Sequence, residues 1–345
     1  MNKYNDYKGF ARLLSNVWVY RIRPYCHYPN GLGVFNTPLL ILVALIIIIS
    51  APGIFAQETK SDAEIVDSLF MRASSGLTMF RDQVEPSKKA LIEMGARAIP
   101  QMLTKLDTRS AGEMQTISAI FKGIGEIAVD SLTKRLSSSD DYVRHLAINC
   151  LADIKSPKTI PALAKLVDHS DFATRAGVMN AFGQIGDKTA SGYVTQGLLD
   201  SNEVVATAAA VACGKIKIDI DPLTLIDAFD HPYYGVRYTA MQSLIQLGEI
   251  SVAPLISYLQ THPFDISFGY AIEALGEIGS RDALPIFEQT INYNDWSVRA
   301  FTAEALGKLN QPKAKKIIQK AMTIETHPLV VVKLKASLAK YEKTS

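Results

Sequence analysis

Imidazoles are the first groups in this chain with chemistry to offer. His169, His231, His262 and His327 each fall in a short polar break between apolar segments. A zinc site would need their nitrogens about 2 Å from a single ion. The breaks belong to different helix pairs, and packed helices stand roughly 8–10 Å apart. The four rings therefore do not converge, and they read as turn residues. A second series, Arg144, Arg175, Arg237 and Arg299, recurs with Asp141, Asp171 and Asp295 three or four residues earlier. Such a ladder would bind anions if its guanidinium groups faced outward. It would tie neighbouring units together if they turned to corner carboxylates and carbonyls. No Gly-rich phosphate loop, His-Glu-x-x-His, Gly-x-Ser-x-Gly or Cys-x-x-Cys occurs. Glu273 and Glu277 lie one helical turn apart, the ordinary spacing of carboxylates on a solvated helix. The chain is expected to carry no catalytic residues, no cofactor and no metal.

Binding chemistry is better represented than catalysis. Asn149, Asn180, Val211, Gln242, Glu273 and Glu304 form one recurring series. Four residues further on, Asp153, Gln184, Lys215, Gln246, Glu277 and Lys308 form another. Residues four apart share a helix face, so stacked units turn the two series into parallel polar rows. Aromatic residues crowd positions 233–301, and Tyr270 and Phe301 fall 31 residues apart beside Glu273 and Glu304. Aromatic anchors flanked by charge suit recognition of a partner. The candidate partner-binding set is Gln242, Tyr270, Glu273, Glu277, Phe301, Glu304 and Lys308, and the partner is expected to be a protein or other macromolecule. The competing reading is a plain solvated surface.

The elements that carry these residues repeat. Gly95, Gly125, Lys155, Gly186, Lys217, Gly248, Gly279 and Asn310 succeed one another at 30 or 31 residues, each closing an apolar helical segment. A period of this length marks stacked supersecondary units. Each unit reads as two helices. The first opens at Pro100, Pro161, Pro222, Pro254 or Pro285, with Asp130 and Ser191 in the remaining units; Pro suits a first turn, whose N–H has no partner anyway. It carries apolar residues at helical spacing, such as Leu255, Ile256 and Leu259. The second helix follows a polar corner, with Asp141, Asp171 and Asp295 expected as N-caps. Gly183, Gly214, Gly276 and Gly307 allow close approach of neighbouring second helices. The closing glycines suit a left-handed cap; Lys155 and Lys217 at that position predict looser or differently ended helices. Seven units span 96–310, with helical caps at 57–95 and 311–345, and the fold class is all-α.

The strings EALGEIGSRDALP (273–285) and VRAFTAEALGKLN (298–310) resemble HEAT repeats, specifically the phycobilin-lyase-type subclass (PBS lyase HEAT-like repeats). The resemblance covers about residues 86–330. It implies a right-handed α-solenoid whose second helices line a concave binding surface, and it implies that the recurring arginines are structural. Phycobilin lyases attach pigments, so an enzyme or enzyme accessory subunit of that kind is the alternative to a non-catalytic scaffold. HEAT-type deoxyhypusine hydroxylases bind iron through His-Glu pairs, and none of the six histidines here precedes Glu.

Charge is unevenly spread. The whole chain has a formal net charge of +2, made of +4 in residues 1–56, −8 in 57–310 and +6 in 311–345. An acidic body offers no footprint for nucleic acid. The basic end would grip anionic lipid or an acidic partner, or else form a solvated cap with Ile317, Ile318, Leu334 and Leu338 turned inward. Leu39 to Ile49 is an unbroken apolar run, broken by Ser50-Ala51-Pro52-Gly53. It reads as a signal peptide ending at Ala56, with an uncleaved membrane anchor as the alternative. Either way the repeats are expected outside the cytoplasm, periplasmic or extracellular, with membrane association only through this segment. Cys150 and Cys213 lie two units apart, about 20 Å, too far for a disulfide, and read as small core residues.

Overall fold

The computed structural model describes residues 60–343 apart from 218, 263 and 265, so the expected leader lies outside the described residues. Among the described residues there are eighteen α-helices and no strand. The first nine are α1 (Asp62–Ala73), α2 (Val84–Met94), α3 (Ile99–Leu103), α4 (Ala111–Ile124), α5 (Val129–Thr133), α6 (Asp141–Ile154), α7 (Ile160–Leu163), α8 (Phe172–Ile185) and α9 (Ser191–Gly197). The rest are α10 (Glu203–Ile216), α11 (Pro222–Asp227), α12 (Tyr234–Leu247), α13 (Val252–Thr261), α14 (Ile266–Ile278), α15 (Leu284–Thr290), α16 (Trp296–Lys308), α17 (Pro312–Met322) and α18 (Pro328–Lys343). Each even-numbered helix from α2 to α18 packs on the next. The odd-numbered helices cover one side of that stack. No described helix is long and apolar enough to cross a membrane.

Local chemistry sets the boundaries. Pro100, Pro161, Pro222 and Pro285 stand in the first two positions of α3, α7, α11 and α15. Asp171 and Asp295 cap α8 and α16 as expected, accepting from first-turn N–H groups. The cap of α6 is Asp140, not Asp141: its carboxylate accepts from Tyr142 N at 2.8 Å. Asp141 is already helical and pairs with Arg144. The reason is register, because Asp140, Asp171 and Asp295 all stand four residues before the recurring arginine.

Lys155 also departs from expectation. It ends α6 at φ 59°, ψ 29°, the region Gly186 occupies at φ 71°, ψ 17°. Its N–H bonds back to the Leu151 and Ala152 carbonyls, so the helix is not looser. Lys217 takes φ 61° but ψ −45°, outside that region, and bonds to Cys213 O, so α10 ends differently from α8, as the sequence allowed.

The core runs between the two layers, with Phe121, Phe182, Phe229, Phe268 and Phe287 fully buried along it. Cys150 and Cys213 are buried free thiols, each pushed up to about 12 chiefly by burial. Close approach is built in: a Cβ on Gly276 would stand 2.7 Å from Ala305 Cβ, and one on Gly183 2.9 Å from Ala212 Cα. At the C-terminal end Ile317, Ile318 and Leu334 are buried and Leu338 packs on the core. Tyr341 Oη donates to Leu306 O at 2.6 Å, fastening α18 to α16.

The arginines are structural. Arg144, Arg175, Arg237 and Arg299 each donate to a carbonyl six residues back in their own corner, at Ser138, His169, His231 and Tyr293. Arg175 also grips Asp200, and Arg299 grips Glu325, through two N–H groups each. Both carboxylates belong to the next pair's corner. The arginine hydrogen bonds hold Asp200 and Glu325 below the usual carboxylate range against the opposing pull of burial. Arg144 reaches the next pair through Thr174 Oγ1. Arg237 is the exception, with its buried Nε unpartnered.

Candidate functional site

Three consecutive even-numbered helices build an aromatic-lined hollow. Helix α12 supplies Tyr234 and Tyr238, one turn apart, whose rings stack at 5.9 Å and 17°. Helix α14 supplies Gly269, Tyr270 and Glu273, and α16 supplies Ser297 and Phe301. Phe264, from the corner before α14, closes one side. Together they line a groove of about 680 Å³.

Packing beneath the groove fixes its rings. Tyr270 leans on buried Phe229 at 5.7 Å between centroids. Phe264 meets Phe268 edge-on and Tyr293 at a tilt, both at 5.9 Å. Phe301 lies against the backbone of α14, where a Cβ on Gly269 would stand 3.0 Å from its ring. Tyr234 is nevertheless 62% exposed. Rings held from below and open above are what an aromatic anchor site requires.

Glu273 is the one charged side chain lining the groove, and it makes no hydrogen bond or ion pair among the described residues. The neighbouring carboxylates are occupied. Lys308 Nζ lies 2.7 Å from Glu277 and 3.6 Å from Glu304, and Lys333 Nζ lies 2.6 Å from Glu304. Burial pulls the Lys308 ammonium down, but the Glu277 hydrogen bond and the surrounding carboxylates outweigh it and leave it raised. Glu304 is held below its ordinary range, chiefly by Lys333.

The candidates named from sequence thus separate. Tyr270, Glu273 and Phe301 face the large groove. Glu273 and Phe301 join Glu304 and Lys308 around an adjoining hollow of about 80 Å³. Glu277 stands at the rim as a counter-ion of Lys308. Gln242 sits on α12 one turn after Tyr238 and lines neither hollow. Sequence reasoning missed Tyr234, Tyr238, Phe264, Gly269 and Ser297 as groove residues. The four-residue spacing of Tyr234 and Tyr238 carried a readable signal. Phe264 sits in a corner, where helical periodicity says nothing.

Toward the N-terminal end of the same helix layer, Asn149, Asp153 and Gln184 of the polar rows line a second hollow of about 430 Å³ with Ser118 and Lys122. Ser118 there donates to Asp153. His169, His231, His262 and His327 sit in four separate corners. His169 and His231 accept from the N–H two residues on, and His327 stacks on Trp296 at 4.6 Å. The described residues contain no cluster of His, Cys, Asp or Glu able to hold a metal.

Residues 129–217 and 252–338 match the family model described as HEAT repeats. A stretch of 98 residues is 32% identical to the bilin biosynthesis protein PecF of Nostoc sp. (strain PCC 7120), covering 27% of this chain. The chain spans 57% of that relative's length. Among solved structures, importin beta is similar at a TM-score of 0.51 and 12% identity, over 88% of this chain and 49% of that one. The complex of CpcE and CpcF of phycocyanin lyase from Nostoc sp. PCC7120 is similar at 0.35 and 17% identity, over 70% and 94%. The importin likeness is one of fold, and it agrees with an all-α solenoid.

Proposed function

The chain belongs to the HEAT-repeat family, and from that premise we propose that it is an exported, non-catalytic scaffold holding a protein partner on the exposed side of its even-numbered helices. The observation that carries the reading is the groove of Tyr234, Tyr238, Phe264, Tyr270 and Phe301 around Glu273. Large exposed aromatics in one contiguous patch cost solvation when left bare and are typical of interface cores. Stacked helix pairs suit such a role because each pair adds length to one continuous face. Export rests on the apolar run Leu39 to Ile49 and the helix-breaking residues after it.

A photo-cross-linking residue in place of Tyr238 tests the surface. It is expected to capture one discrete partner in the native envelope. The same residue in place of Leu223, 51% exposed on α11 in the other layer, is expected to capture none. Equal capture from both positions would count against the groove. N-terminal sequencing of the protein recovered from that envelope tests export, with a start after Ala56 expected for a cleaved leader.

A second reading is an accessory subunit of a bilin lyase, favoured by the 32% identity to PecF. It predicts a coloured complex when the purified protein is mixed with a bilin, and an unchanged absorption spectrum would remove it.

A further inference from the structure

We propose that the groove's occupant is a basic peptide segment of the partner, with a lysine or arginine head group set among the aromatic rings against Glu273. This rests on the groove being the partner-binding surface and names the chemistry it selects. Ring faces carry negative potential and attract cations placed over them. Tyr234, Tyr238, Tyr270 and Phe301 supply several such rings in one groove. Glu273 supplies the counter-charge, and among the described residues no lysine or arginine lines the groove.

The contrast along the helix layer sharpens the point. Glu277 and Glu304 are paired with Lys308 and Lys333, whereas Glu273 makes no ion pair among the described residues and shares the field of Lys308 with both of those carboxylates. At the other end of the tyrosine pair, Glu203 lies beside Gly235, where its Oε1 would stand 3.1 Å from an added Cβ. Glu203 too makes no hydrogen bond or ion pair among the described residues. Two carboxylates outside any ion pair among the described residues flank the rings within a segment of net charge −8 (residues 57–310). A space of about 680 Å³ exceeds what one ammonium group fills and admits several residues of extended chain. An apolar or acidic segment would bury Glu273 with no cation in ion-pair contact, which costs affinity.

The test uses fluorescein-labelled, terminally blocked nine-residue peptides with three lysines, their triply acetylated form and a three-glutamate form. Binding to the full chain is read by anisotropy at low salt and at 0.3 M. The lysine peptide is expected to bind, weakening with salt, and acetylation is expected to weaken it tenfold or more. Glu273→Gln is expected to weaken it comparably, and Glu288→Gln, on α15 in the other layer, to leave it within twofold. Glu273→Gln removes no hydrogen bond or ion pair among the described residues, and circular dichroism checks that the fold is kept.

Equal binding of lysine and acetyl-lysine peptides would overturn the cation site while leaving an aromatic groove for apolar segments. Equal losses in the two glutamine variants would mean diffuse attraction to an acidic body and would overturn it as well. Tighter binding of tetramethylammonium than of any peptide would replace the peptide with a small organic cation. Failure of cross-linking from position 238 is the separate result that removes the underlying surface.

Discussion

Lys155 and Gly248 close equivalent helices and yet ask different things of the backbone. Lys155 lies at ψ 29°, in the left-handed well that an L-residue enters at modest cost. Gly248 lies at φ 72°, ψ −133°, as the chain turns straight into the 3₁₀ turn Gly248–Ser251. A Cβ is excluded from that region. Gly248→Ala is therefore expected to lower stability by about 1–3 kcal/mol. Lys155→Gly is expected to change it by less than about 1 kcal/mol, in the stabilising direction. Urea midpoints measure both. The sequence shows that these positions end helices, but not which left-handed region each uses, because that depends on whether a capping residue or a 3₁₀ turn follows. Tyr270 and Phe301 were legible through their 31-residue spacing. Gly269 was not, because its role is to admit a ring from another helix.

Between elements, arginine clamps join one pair to the next, and their strength tracks the receiving corner. Arg175 meets Asp200, whose side chain is 14% exposed, and Arg299 meets Glu325, 7% exposed. Arg237 finds only its own corner carbonyls of His231 and Pro232. Removing one partner of a largely buried, doubly bonded pair strands the other, so Arg175→Ala and Arg299→Ala should each cost about 2–3 kcal/mol. Arg237→Ala strands no carboxylate and should cost about 1 kcal/mol or less.

The clamps also set an acid limb. Asp200 and Glu325 titrate below their ordinary values when folded, so near their folded pKa the unfolded chain binds more protons. Their contribution is complete above the ordinary carboxylate range and is lost as pH falls through the depressed folded values. Asp200→Asn with Glu325→Gln should lower stability at neutral pH and flatten its fall below about pH 4. Thermal melts across that range give the readout, and an unchanged acid slope would show the clamps to be energetically silent. The recurrence of arginine was plain in the sequence. Its receiving groups were not, since Asp200 and Glu325 lie 25 and 26 residues downstream in corners of differing composition.

At the scale of the molecule, the groove is a property of spacing between units. Its walls come from α12, α14 and α16, so its width follows from how closely those helices stack. Gly276 sets one such distance against Ala305, and Gly183 sets a like distance against Ala212 between α8 and α10. Backbone or Cβ stands in the way at both positions, so an added methyl must push the helices apart. Overpacking of this kind costs about 1–3 kcal/mol. In a stacked array the strain is shared mainly with immediate neighbours. Gly276→Ala and Gly183→Ala should therefore lose similar stability while differing in function. Gly276→Ala separates Tyr270 from Phe301 and should weaken lysine-peptide binding severalfold, whereas Gly183→Ala, several helices away, should leave it within twofold. Anisotropy beside urea midpoints for the two variants makes the comparison. Equal loss of binding would mean that strain travels the length of the stack and that the groove is held by the whole array, not by the three helices that line it.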